Sequence, residues 1–181
     1  RKVRKTKTKE KTVSDLALNK HLDNPIIGPR RENDWEAWQT FNPGAILLGD
    51  TVHFLYRAIG KDGISRLGYA SSGDGFCIDK RPAAPAYEHQ VIERSFNVFS
   101  YFSGGSWGGA EDPRIVRVGD EDVLYMTYTA CDGDLRVGLT SIRTEDFLNG
   151  KWKWQPPVLI SPPGEVHKNW VIFPEKINGK Y

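Results

Sequence analysis

Residues 108–115 read Gly-Gly-Ala-Glu-Asp-Pro-Arg-Ile. Glu111 and Asp112 stand side by side behind a glycine pair and ahead of an apolar run. Like charges at that distance repel, so either the segment is a solvated turn or one of the acids is used. A carboxylic acid held protonated near neutral pH suits cleavage of a glycosidic bond. It protonates the leaving oxygen while a nucleophile or activated water attacks from the other face. A neighbouring carboxylate or burial supplies the required upward pKa shift. Side chains alternate along a strand, so only one of the pair is expected to face a pocket, with the other in a structural ion pair. Arg114 then shares Asp112's face and is placed to hold its carboxylate or a substrate oxygen. The plainer reading, that Asp112-Pro113 merely begins a strand, is as strong on these residues alone.

The elements that position this segment follow a repeat. Pro43 and Pro113 are 70 residues apart, as are Gly49 and Gly119, Arg66 and Arg136, Gly68 and Gly138, and Ser71 and Ser141. Each copy runs from a proline to a Gly-Asp turn, an aromatic strand, then Arg-apolar-Gly and a small-residue strand. Gly49-Asp50, Asp62-Gly63, Gly119-Asp120, Asp132-Gly133 and Asn178-Gly179 are hairpin signals. A third start, Phe-Pro-Glu-Lys, stands at 173–176. A period near 70 residues with short strands predicts β-propeller blades, of which two and the start of a third are visible. A β-sandwich of seven or eight strands fits the length but not the offset. In a propeller, blade starts converge on one axial mouth, so Asn42, Asp112 and Glu175 are expected to gather there.

Composition agrees with a globular domain. The chain has 181 residues, 39% hydrophobic and 12% aromatic, with a net charge of +2. Seven of the first eleven residues are Lys or Arg, which predicts a solvated tail over 1–20 ahead of a domain at 21–181. A short helical turn is expected within Ser-Asp-Leu-Ala-Leu-Asn-Lys-His (14–21). No apolar segment follows the basic run and none is long enough to span a bilayer, so neither a secretory signal nor a membrane partner is expected. Basic-aromatic interleaving is missing, which argues against nucleic acid. Cys77, Cys131 and the four histidines show no metal-ligand spacing, and the two thiols suit a cytoplasmic protein. Trp35, Trp38, Trp107 and Trp170 are candidates equally for sugar stacking and for core packing.

The segments FNPGAI (41–46), LYRA (55–58), RLGYASSGDGF (66–76), GGAEDPRI (108–115), MTYTACD (126–132) and NWVIFPEKINGKY (169–181) together resemble glycoside hydrolase family 130. That family comprises β-mannoside phosphorylases and β-1,2-mannosidases built as five-bladed β-propellers. The resemblance runs from about Asn24 to Tyr181 and implies an all-β chain holding about two and a half blades. It implies that Asp112 is the general acid and that Asn42 and Arg57 contact the mannosyl unit at the cleavage point. Arg66 and Asp74 carry over from the first-blade segment. Glu111 and Arg114 complete the substrate side, Glu111 in a supporting, structural role. His167 and Lys168 fall where the phosphorylases hold phosphate. Lysine there offers a point charge in place of arginine's bidentate fork, which leaves phosphate or water open as the nucleophile.

The resulting expectation is inverting cleavage of β-mannosides, most simply by phosphorolysis to α-mannose 1-phosphate. The alternatives are hydrolysis, with Glu175 as candidate base, and a non-catalytic sugar-binding propeller. Inorganic phosphate is the co-substrate of the phosphorylase version and no cofactor is called for. The expected partner is a β-mannoside oligosaccharide, with a homo-oligomer left open.

Overall fold

The structure, a computed structural model, describes residues 19–92 and 104–180. The basic tail and most of the helical turn expected at 14–21 lie outside the described residues. Seven strands form one sheet in chain order: β1 (Gln39–Leu48), β2 (Thr51–Ile59), β3 (Ser65–Ser72), β4 (Gly109–Arg117), β5 (Val123–Asp132), β6 (Asp134–Arg143) and β7 (Val158–Leu159). Strands β1 to β3 make one antiparallel meander and β4 to β6 a second, joined through a single parallel bridge, Ser65 to Gly109. A sandwich would show two sheets packed face to face; here one sheet runs through both repeats.

Each meander carries a rudimentary fourth, outer strand. Leu67 bridges to Tyr87 and Ser71 to Lys80 in the first, while β7 pairs with Gly138 and Leu139 in the second. The two meanders coincide with the two copies of the repeat. The hairpin signals fall on turns, with Gly49, Gly63, Gly119 and Gly133 all at positive φ. Asn178 and Gly179 both have positive φ between the bridged Ile177 and Lys180, the backbone of a type I′ turn.

The inner strands β1 and β4 lie side by side and bring the two meanders together. Between them Leu55, Leu67, Tyr69, Leu124, Met126 and Ile142 form the main core. A short helix, α1 (Thr144–Leu148), adds Phe147, whose ring meets Tyr69 edge-on at 5.6 Å. The outer side of the first blade is closed by Ile27 and Trp35, which pack on Tyr56, Ala58 and Ala70. Trp35 is thereby a packing residue: it stacks on Tyr56 at 6.4 Å and donates its indole N–H to the Ala83 carbonyl at 2.6 Å. Among the described residues no helix is long and apolar enough to cross a membrane.

Candidate active site

The two inner strands are interrupted at matching places. In β1 the pairing passes from Phe41–Arg57 to Gly44–Leu55, so Asn42 and Pro43 together oppose Tyr56. In β4 it passes from Glu111–Thr129 to Arg114–Thr127, so Asp112 and Pro113 oppose Tyr128. Each is a β-bulge, and the residue before the proline adopts the left-handed conformation, φ 45° at Asn42 and 49° at Asp112. The sequence favours this locally. Asn and Asp tolerate left-handed backbone better than other residues bearing a side chain, and proline has no N–H to leave unpaired. The opposing tyrosine pairs in turn with a glycine, Tyr56 with Gly68 and Tyr128 with Gly138. A Cβ at either glycine would stand 2.1 or 2.4 Å from the tyrosine ring, so the ring occupies the place of the missing side chain.

The bulges meet across the seam between β1 and β4. A Cβ added to Gly44 would lie 2.6 Å from the Pro113 carbonyl oxygen, which accounts for glycine at that close approach. Asn42 Nδ2 donates to Asp112 Oδ1 at 2.9 Å. Arg57, 1% exposed, spans both acids: Nη2 donates to Glu111 Oε1 at 2.8 Å and Nη1 to Asp112 Oδ1 at 3.4 Å. Its Nε donates to Ser65 Oγ at 3.0 Å, and its guanidinium lies 4.7 Å from the centre of the Phe41 ring. Lys168 Nζ stands 3.8 Å from Asp112 Oδ2. The backbone around Lys168 is tied down, His167 N–H to the Leu135 carbonyl at 3.1 Å and the Thr127 hydroxyl to the Trp170 carbonyl at 2.6 Å.

Alternation would have sent Glu111 and Asp112 to opposite faces. The bulge cancels it, and both carboxylates turn to the same guanidinium. Glu111 is fully buried, and the expected structural ion pair is its bond to Arg57. Ser106 Oγ also donates to Glu111 Oε1, while Oε2 has no hydrogen-bond partner among the described residues. Burial pushes the Glu111 carboxyl above its ordinary value, and Asp112 pushes the same way; Arg57, the Ser106 bond and Lys168 oppose it. Asp112 is 4% exposed and collects an amide and two cations from three separate segments. Such a cluster can fix one carboxyl oxygen pair at the mouth of the blade interface and bind an anionic or polyhydroxylated group beside it.

The glycoside hydrolase family 130 model, described as beta-1,4-mannooligosaccharide phosphorylase, matches residues 18–181. The chain belongs to glycoside hydrolase family 130. It is 33% identical over 179 residues to the 1,2-beta-oligomannan phosphorylase of Thermoanaerobacter sp. (strain X514), covering 92% of this chain and 52% of that protein. The chain spans about half the length of the curated relatives it matches. A solved structure reported with family 130 glycoside hydrolases that target beta-1,2 mannosidic linkages in Candida mannan is 30% identical. Its TM-score is 0.55, over 73% of this chain and 38% of that one. The beta-1,2-mannobiose phosphorylase of Listeria innocua, 16% identical, shares the fold with a TM-score of 0.59 over 88% of this chain and 55% of that one.

Of the positions carried over from family 130, the structure brings together Asn42, Arg57, Glu111, Asp112 and Lys168. His167, next to Lys168, is turned to Glu165 Oε2 at 2.9 Å and to the Trp170 ring. Arg114 does not hold Asp112. The bulge displaces it, and it lines a groove of about 290 Å³ beside Pro43 and Val171, donating to the Pro113 carbonyl at 3.4 Å. Arg66 lies in a separate surface cluster, bonded to both Asp62 oxygens at 3.1 and 2.7 Å and to Glu88 at 3.3 Å. Strand pairing explains this: Arg57 opposes Leu67, so Arg66 falls on the other face.

Asp74 is further away, in the turn two residues after Ser72, which itself lies seven residues or roughly 23 Å along β3 from Ser65. It accepts from the Phe76 and Cys77 N–H groups and from Ser72 Oγ, a turn-closing role. Glu175 does not join the mouth: it lines a groove with Gly119 and Asp120, at the other end of β4 from Asp112. The sequence reading missed Ser65, Ser106 and the ring of Phe41 as supports of Arg57 and Glu111. Two serines in small-residue runs and one aromatic before Asn42 carry no type-specific signal.

Proposed function

We propose that the protein cleaves β-mannosidic linkages by phosphorolysis with inversion, within a five-bladed propeller of which this chain supplies the first two blades and the start of a third. The observation that carries the reading is Asp112, gripped across the blade interface by Asn42, Arg57 and Lys168. Asp112 is the general acid and Asn42 and Arg57 orient the mannosyl unit. As the bond from the anomeric carbon to the glycosidic oxygen breaks, the proton of Asp112 reaches that oxygen. A phosphate oxygen bonds to the anomeric carbon from the opposite face, giving α-mannose 1-phosphate and the shortened sugar. Lys168 holds phosphate, with His167 beside it. Inversion separates acid and nucleophile across the sugar ring, so a phosphate-binding cation near the acid supports proton delivery through a hydroxyl of the ring rather than directly. Arg66, Arg114 and Asp74 have no step here.

The relative acting on 1,2-beta-oligomannan supports a β-1,2-mannoside substrate. The alternative is hydrolysis, which needs a second carboxylate across the sugar. Glu175 lies at the far end of β4 and Glu111 is locked to Arg57, so neither supports it. Two unpaired thiols, Cys77 and Cys131, suit a cytoplasmic location. The full-length protein is incubated with β-1,2-mannobiose with and without phosphate. The expected result is α-mannose 1-phosphate only with phosphate, lost by about 10³-fold in Asp112→Asn. Mannose released without phosphate moves the assignment to a hydrolase. No turnover in either case, with Asp112→Asn binding sugar like the wild type, overturns the enzyme reading.

A further inference from the structure

The cluster around Asp112 leaves unused a second concavity at the same end of the first blade. This cleft, about 700 Å³, is lined by Trp38, Trp107, Arg31, Lys61, Asp62 and Gly63. That volume lies within the range of small-ligand sites, roughly 300–1,000 Å³. Two indoles remain 52% and 41% exposed in it, although each has a fixed backbone: Trp38 N–H donates to the Ile59 carbonyl at 3.0 Å and Trp107 N–H to the Gly63 carbonyl at 2.9 Å. Trp107 is held closely. A Cβ on Gly63 would come 2.2 Å from its ring, so the glycine, at φ 73°, is what lets the indole seat there. A rigid, exposed aromatic pair costs little ordering on binding, and its flat faces suit the apolar side of a sugar ring. Charged groups rim the cleft: Arg31 is exposed, and Lys61 and Asp62 are tied to Asp34 and Arg66.

The location is what connects this cleft to chemistry. Trp38 precedes Asn42 by four residues and Trp107 precedes Asp112 by five, on the leads of the two inner strands. Extended chain of those lengths spans at most about 13 and 17 Å. The two indoles therefore lie within reach of a short oligosaccharide from Asn42 and Asp112.

We propose that this cleft is a distal subsite that binds further sugar units of a β-mannoside chain whose cleaved linkage sits at Asp112. Trp38 and Trp107 stack sugar faces, and Arg31 and Lys61 donate to hydroxyls at the rim. The proposal rests on the mannoside reading of the Asp112 site. It makes the protein selective for oligosaccharides over the disaccharide, with selectivity set by residues that take no part in bond cleavage.

The test compares β-1,2-mannobiose with β-1,2-mannotetraose on the full-length protein, using Trp38→Ala and Trp107→Phe, the second chosen to keep the packing against Gly63. The expected result is a three- to tenfold loss of kcat/KM on the tetraose with mannobiose unchanged. Equal losses on both substrates, or none on either, overturn the subsite. A separate calorimetric titration of Asp112→Asn with the tetraose reads binding without turnover. If no mannoside is cleaved by the wild type, the functional reading fails. The cleft then stands only if Trp38→Ala weakens tetraose binding threefold or more, and falls if the affinities match.

Discussion

Replacing Arg57 by methionine removes the one guanidinium that both buried acids share while keeping most of the side chain's bulk. Glu111 is fully buried, and among the described residues its Oε1 keeps only the Ser106 hydroxyl. Asp112 keeps Asn42 and the more distant Lys168. Removing one partner of a buried pair leaves an uncompensated charge and costs about 3–5 kcal/mol. Loss of the contact with the Phe41 ring adds up to about 1 kcal/mol. A domain holds only about 5–15 kcal/mol in all, so the variant should lose roughly a fifth or more of its stability. The companion change Glu111→Gln removes the stranded charge, so the double variant should regain much of the loss, with a coupling of at least about 1.5 kcal/mol.

The pH dependence has a defined sign. Burial raises the Glu111 carboxyl above 4.5, so the native state holds that proton more tightly than the unfolded chain, and stability falls as pH rises through this window. Without Arg57 the carboxyl rises further, so Arg57→Met should be less damaging at pH 5 than at pH 7. Urea titrations followed by tryptophan fluorescence, at both pH values, read all four corners of the cycle. A loss within about 0.5 kcal/mol for Arg57→Met, or strict additivity with Glu111→Gln, would refute the shared-cation account.

Gly68→Ala should lower the melting temperature sharply, because the new methyl would stand 2.1 Å from the Tyr56 ring and overpacking of this kind costs about 1–3 kcal/mol. A variant melting with the wild type would show that the ring yields freely. Asp74 accepts from the Cys77 and Phe76 N–H groups and from Ser72 Oγ, which hold its carboxyl down at about 2 against the ordinary 3.8. A depressed value means stabilisation present above about 3.8 and lost as pH falls towards 2. Asp74→Asn should therefore flatten the acid limb of a thermal-stability profile between those values, and an unchanged limb would remove the turn from the account.

The repeat was legible because turn chemistry is local. A Gly-Asp pair needs a particular backbone, so Gly49 and Gly119 marked the hairpins, and the shared offset marked the two meanders. Asn42, Asp112 and Arg57 were found through motifs. Their mutual arrangement was not, because side-chain alternation is a rule for regular strands and the bulge suspends it. A signal was nonetheless present: both copies place Asn or Asp before proline, the pairing that a left-handed residue in an interrupted ladder prefers. Arg66 and Asp74 share a segment with residues near the site, but pairing across β2 and β3 sets one on the other face and the other at the far end. Such placement depends on long-range register. The middle strand hides this too: Asn42 to Tyr56 is 14 residues and Asp112 to Tyr128 is 16, while Tyr56 to Gly68 is 12 and Tyr128 to Gly138 is 10. The two slips cancel, so a single offset conceals that Arg57 has Thr129 as its counterpart.

The Asn42–Asp112 bond joins residues that occupy the same place in two copies of one motif. Had the copies stayed identical, like would have met like. Two carboxylates would repel, and two amides would leave no acid to ionise. A single heteroatom, nitrogen in one copy and oxygen in the other, turns that self-encounter into a donor and an acceptor. The bond thus depends on broken symmetry: two equivalent backbones carry different side chains, and only that difference lets one donate to the other.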